Sequence, residues 1–84
     1  MQYELSIYCE TPKQAEELLE ASRTLGYGAT FYIPIEPGFL PVVHVYGQKK
    51  HLNKLFAIVG GLNGVKEIRF YKGRSLTAEK TFKY

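Results

Sequence analysis

Residues 29 to 46 read Ala29-Thr30-Phe31-Tyr32-Ile33-Pro34-Ile35-Glu36-Pro37-Gly38-Phe39-Leu40-Pro41-Val42-Val43-His44-Val45-Tyr46, two alternating runs about a proline-glycine centre. Each run has the two-residue period of a half-buried strand, and Glu36 to Pro41 has the chemistry of a turn. The passage predicts a hairpin of strands over 29–35 and 42–46, with Phe39 and Leu40 exposed at its tip. Phe31, Ile33 and Ile35 share the core side of the first arm, and Val43 and Val45 that of the second. Pro34 has no N–H to give a ladder, which places the first arm at a sheet edge.

Upstream, residues 2 to 9 alternate again, with Tyr3, Leu5, Ile7 and Cys9 opposing Gln2, Glu4, Ser6 and Tyr8. Thr11-Pro12-Lys13-Gln14 is a helix start: Thr11 caps, Pro12 suits the first helical position, and Gln14 completes a capping box. Ala15, Leu18, Leu19, Ser22 and Leu25 follow at helical spacing, and Gly26 and Gly28 supply the stop. Downstream, a second helix over residues 48–59 presents Leu52, Leu55, Phe56 and Val59, with Leu62 packed below its end. Residues 65–71 form a fourth strand with Ile68 and Phe70 toward the core. In the tail, Leu76, Ala78, Phe82 and Tyr84 share a parity that allows a short fifth strand beside the fourth, or one crossing to another protomer.

Two βαβ halves joined by a hairpin define an α+β chain, βαββαβ, with an antiparallel sheet in order 4-1-3-2. Both helices then cover one face. This order of elements resembles that of ferredoxin-like domains across nearly the whole chain. Residues 1–84 are read as a single domain, with its core in 1–72 and 73–84 as a C-terminal extension or edge strand.

The parity that buries the apolar positions leaves the second face to Glu4, Ser6, Tyr8, Thr30, Tyr32, Pro34, Val42, His44, Tyr46, Glu67, Arg69 and Tyr71. Registers that respect it give three transverse rows. The middle row runs Arg69, Ser6, His44, Tyr32; the flanks run Tyr71, Glu4, Tyr46, Thr30 and Glu67, Tyr8, Val42, Pro34. A slip of two residues would leave the face inventory unchanged. Tyr8, Tyr32, Tyr46 and Tyr71 with His44 and Arg69 have the composition of an interface core. Strand propensity alone also favours tyrosine, so the inventory is weighed together with its concentration on one face.

The bulk composition fits a small globular chain: 84 residues, 45% hydrophobic, 23% charged, seven Tyr, no Trp and no Asp. A chain of this size buries only roughly 60 to 65% of its unfolded surface, so a covering partner would stabilise it appreciably. Charge is divided: residues 1–40 carry two cations against six glutamates, and residues 41–84 carry nine cations against two. Lys49, Lys50, Lys72 and Arg74 form a candidate basic patch; the alternative is two helices with complementary outer faces. Lys49-Lys50-His51 opens a helix, where cations oppose the dipole. A lone Cys9 excludes an intrachain disulfide, and its core parity makes it a buried thiol rather than a nucleophile. Neither His44 nor His51 sits in a ligand pair, so no metal and no cofactor are expected. The start at Met1 shows no signal-peptide or membrane-spanning pattern, so a cytoplasmic location with no membrane partner is expected.

Three functions fit this inventory. The first is a non-enzymatic interaction or regulatory module that covers its open face by homodimerisation or by docking on a protein. The string Gly64-Val65-Lys66-Glu67-Ile68 resembles the last strand of amino-acid-sensing regulatory domains, although Cys9-Glu10-Thr11-Pro12 stands where their glycine-bearing loop would be. The second is single-stranded nucleic-acid binding by stacking bases on the same face. Leu5-Ser6-Ile7-Tyr8 resembles the first-strand motif of RNA-recognition domains, while Val43-His44-Val45-Tyr46 lacks the basic, glycine-containing prefix of their third. The third is a small dimeric enzyme of isomerase or monooxygenase type, using His44 with Arg69, a nearby Tyr, and Glu4 as a diagonal orienting carboxylate. Self-association ranks first.

Overall fold

In the computed structural model, which describes residues 2–84, the first alternating run is strand β1 (Tyr3–Cys9). Leu5, Ile7 and Cys9 are fully buried on one side of it, as the alternation requires. Helix α1 (Pro12–Thr24) begins where Thr11 Oγ1 accepts from the Gln14 backbone N–H at 3.2 Å. The reciprocal half of the capping box is absent. The Gln14 amide instead donates to the Asn63 carbonyl, beside the Glu10 N–H bonded to the Gly64 carbonyl at 2.8 Å. α1 buries Ala15, Leu18, Leu19 and Ser22. Leu25, expected on this stripe, is exposed, because the helix has already ended at its cap and Gly26 turns the chain at φ 93°.

Strand β2 (Gly28–Tyr32) pairs antiparallel with β3 (Val42–Gly47), forming the hairpin read from the sequence. β2 is the outer strand, but it stops at Tyr32 rather than running to Ile35. Pro34 cannot continue the ladder, so residues 33–35 leave the sheet and Ile35 is 96% exposed instead of facing the core. Phe31 is 41% exposed, while Ala29 below it is buried. At the tip Phe39 and Leu40 are exposed, as expected. The Ala29 carbonyl accepts from Arg23 Nε and Nη2 of α1, at 3.2 and 3.0 Å.

Helix α2 (Lys49–Val59) buries Leu52, Leu55 and Val59. Its Phe56 is partly buried, edge-on to Phe70 at 5.7 Å and tilted against Phe82 at 4.6 Å. Leu62 does not pack below the helix. Its backbone is held in the turn between the Val59 carbonyl and the Val65 N–H, and its side chain is exposed. Strand β4 (Val65–Lys72) buries Val65, Ile68 and Phe70. The strand in the tail, β5 (Lys80–Lys83), lies antiparallel beside β4 and turns Phe82 toward the core. Residues 73–79 form a loop in which Leu76 is 98% exposed.

The five strands follow the order β2-β3-β1-β4-β5, with every neighbouring pair antiparallel. α1 packs on β1, β2 and β3, and α2 on β1 and β3, both on the same face. The layout is ferredoxin-like with one added edge strand. Among the described residues, no helix is long and apolar enough to cross a membrane.

Candidate functional site

The face without helices is built on three rows fixed by the pairing of β4, β1 and β3. The middle row is Arg69–Ser6–His44, flanked by Tyr71–Glu4–Tyr46 and Glu67–Tyr8–Val42, all as the parity argument placed them. The β2 positions differ: Thr30 lies opposite His44, Tyr32 opposite Val42 and Gly28 opposite Tyr46. The pairing of β2 is thus shifted by two residues from the expected one, and since the strand ends at Tyr32, Pro34 drops out of the rows. β5 contributes two positions that the sequence reading did not include. Thr81 lies beside Arg69, and Lys83 beside Glu67. The alternation of residues 80–83 was the available signal.

Two hydrogen-bonded clusters occupy this face. In the first, Glu4 Oε2 accepts from Ser6 Oγ at 2.7 Å and lies 3.0 Å from His44 Nδ1. Ser6 Oγ is itself 3.0 Å from Nδ1. Ser6 is buried, and the Glu4 and His44 side chains retain 26% and 29% of their exposure. With a proton on Nδ1, the ring donates toward both oxygens and Nε2 is left without a protein partner among the described residues. The hydroxyl and the carboxylate therefore meet the same ring nitrogen. A nucleophilic triad needs them on opposite nitrogens, so Ser6 is not an activated nucleophile.

In the second cluster, Arg69 Nε donates to Glu67 Oε2, and the guanidinium stands 4.8 Å above the centre of the Tyr8 ring. Hydrogen bonding to Tyr71 and Glu67 holds the Arg69 guanidinium above its ordinary pKa, so it remains charged. Burial raises the Tyr8 hydroxyl, against the opposing pull of Arg69. Val42 is buried between the in-register rings of Tyr8 and Tyr32, and Tyr32 itself is 58% exposed at the margin.

The candidate basic patch does not assemble on this face. Lys49 and Lys50 open α2 in the opposite layer, where Lys49 lies 3.6 Å from Glu79 and 5.7 Å from the Tyr3 ring centre. Lys72 ends β4 with the parity of Phe70, and only Arg74 borders the open face. Cys9 is buried, and desolvation pushes its thiol up to about 11. Among the described residues, no three His, Cys or Glu side chains stand close enough to hold a metal ion. Two grooves cross the face, one on each side of the ridge made by Tyr71 and Leu76, and neither has His44 in its walls. Comparison with protein-family models, curated proteins and solved structures gives no match.

Proposed function

We propose that this chain is a non-catalytic interaction module whose open sheet face pairs with the same face of a second copy. The observation that supports this reading is that both carboxylates of the face are engaged within it. Glu4 accepts from Ser6 and lies 3.0 Å from His44 Nδ1, and Glu67 binds Arg69. Four tyrosines stand among these pairs. Such a surface costs less to desolvate than one carrying isolated charges, and on a two-fold each Arg69 and Glu67 can meet its complement. Against a phosphate backbone, Arg69 is already engaged by Glu67, Lys83 stands beside that same carboxylate at the β5 margin, Arg74 only borders the face, and Lys49 and Lys50 lie in the other layer.

The face is large enough to be an interface. A five-stranded face about 24 Å across and about 23 Å long projects roughly 550 Å². Standard interfaces bury about 800 Å² of accessible surface per partner, and the relief of side chains raises accessible area above projected area, so coverage of the whole face would approach that size. Sedimentation across a micromolar concentration series tests the proposal. The wild type shifts toward dimer mass, and Tyr46→Glu, which places a charge within the face, stays monomeric. A wild type that is monomeric throughout overturns the reading. So does salt-sensitive binding of a single-stranded oligonucleotide that is lost in the same variant.

A further inference from the structure

We propose that the groove at the loop end of the open face is a binding site for a small ligand bearing an ammonium or guanidinium group. The groove has a volume of about 660 Å³, within the range of small-molecule sites, and Glu4, Tyr46, Tyr71, Arg74 and Leu76 contribute to its walls. Its floor is set by strand pairing. Glu4 is the direct cross-strand partner of both Tyr46 and Tyr71, so the carboxylate stands with a phenol ring on either hand. Glu4 Oε2 is committed to Ser6 and His44, whereas Oε1 accepts no hydrogen bond among the described residues. A fixed carboxylate with an open oxygen between two aromatic rings is the chemistry that selects an organic cation.

The outer wall is built before any ligand arrives. The Gly73 N–H donates to the Gln2 carbonyl at 2.9 Å, and Ser75 Oγ bridges the Thr77 carbonyl and N–H at 3.0 and 3.2 Å. Leu76 borders the groove and is itself almost fully exposed, so the fixed part of this wall is the backbone of residues 73–77. Two cations could oppose such a ligand. Arg69, one row away, is neutralised by Glu67, and Arg74 makes no ion pair among the described residues. Arg74 therefore either swings clear of a simple cation or receives the carboxylate of a zwitterion. The shared chemistry of the two cases is the cationic group at Glu4.

The test uses the intact chain at a concentration where it is monomeric, so that failure of face pairing does not affect it. Amide shifts are followed during titration with agmatine, arginine and succinate. Agmatine and arginine shift residues 3–4, 46 and 71–76, while succinate does not. Glu4→Gln retains an oxygen for Ser6 and His44 and weakens both cations at least about tenfold. Tyr46→Leu weakens them severalfold through loss of the ring face. Arg74→Ala separates the two cases: selective weakening of arginine marks a zwitterion site, and no change marks a site for the cation alone. Absence of shifts, succinate binding in preference to agmatine, or agmatine binding unaffected by Glu4→Gln each overturns the proposal.

Discussion

Glu4 on β1 and His44 on β3 are diagonal neighbours across the strand pair, and their side chains meet at 3.0 Å over the buried hydroxyl of Ser6. Glu4 is the common acceptor of the group. Removing it should cost more than removing the hydroxyl it holds. Glu4→Leu leaves Ser6 and His44 without their carboxylate and is expected to destabilise by about 1–3 kcal/mol. Ser6→Ala, which leaves Glu4 and His44 paired, should cost about 1 kcal/mol. Urea unfolding midpoints check the order, and equal costs would show that Glu4 does not anchor the cluster.

Cys9 gives the stability a defined alkaline dependence. Its thiol is raised from 9.0 to about 11 by burial. The unfolded chain therefore loses this proton first as pH rises, and the folded state holds it longer. The contribution is complete below pH 9 and is lost between pH 9 and about 11, by at most about 1.4 kcal/mol per pH unit. Stability curves of wild type and Cys9→Ala should converge over that window. Curves that stay parallel would refute the assignment.

Phe82 ties β5 to the core through Phe56. Phe82→Ala should release the tail without unfolding the rest. Amide protection of residues 80–83 is then lost, while that of β1 and β3 persists. Loss of protection throughout would mean that β5 is integral to the cooperative unit.

Ile35, nearly fully exposed beyond the end of β2, should be replaceable at little cost. Ile35→Lys is expected within about 0.5 kcal/mol of wild type in thermal or urea unfolding. A large loss would indicate that the segment 33–35 is covered in solution.

Self-association over a face whose carboxylates are already engaged internally should respond weakly to ionic strength. The pairs on this face are partly buried and complementary, so raising salt changes dimer affinity only modestly. A phosphate-binding face would lose affinity by orders of magnitude over a comparable salt range. Sedimentation at low and high salt separates the two.

The parts of the fold legible from sequence were those carried by local periodicity. The alternation of Tyr3 to Cys9, the proline that put the first hairpin arm at an edge, and the Ala15–Leu18–Leu19–Ser22 and Leu52–Leu55–Val59 stripes located the sheet order and both helices. Parity also identified most of the open face. Position along a strand is different, because a shift of two residues preserves every inside–outside assignment; β2 moved by that amount, and Tyr32 came to lie beside Val42 instead of His44. Element ends were also illegible. Leu25, Ile35 and Leu62 are apolar and well spaced, yet each falls just past the point where its helix or strand stops. Gln14 reaches Asn63, 49 residues away, and a local capping pattern carries no information about such a partner. The groove beside Glu4 depends on the path of residues 73–76, which a single glycine turn signal does not specify.

The bond from Arg23 to the Ala29 carbonyl has a bearing on how large an assembly of this chain can become. An outer strand with free backbone groups is a template onto which further strands can add without limit. At β2 a guanidinium from α1 already occupies a backbone carbonyl, and Pro34 interrupts the chain just beyond it. At the other margin β5 is Lys80-Thr81-Phe82-Lys83, with a cation at each end. Both borders resist lateral growth. In the proposed dimer, contact between copies would fall on the broad surface, where stacking two sheets would consume both open faces and leave none for a third. On that proposal, a chain rich in tyrosine and strand-forming residues would associate in pairs while its sheet edges resist the lateral addition that builds fibres.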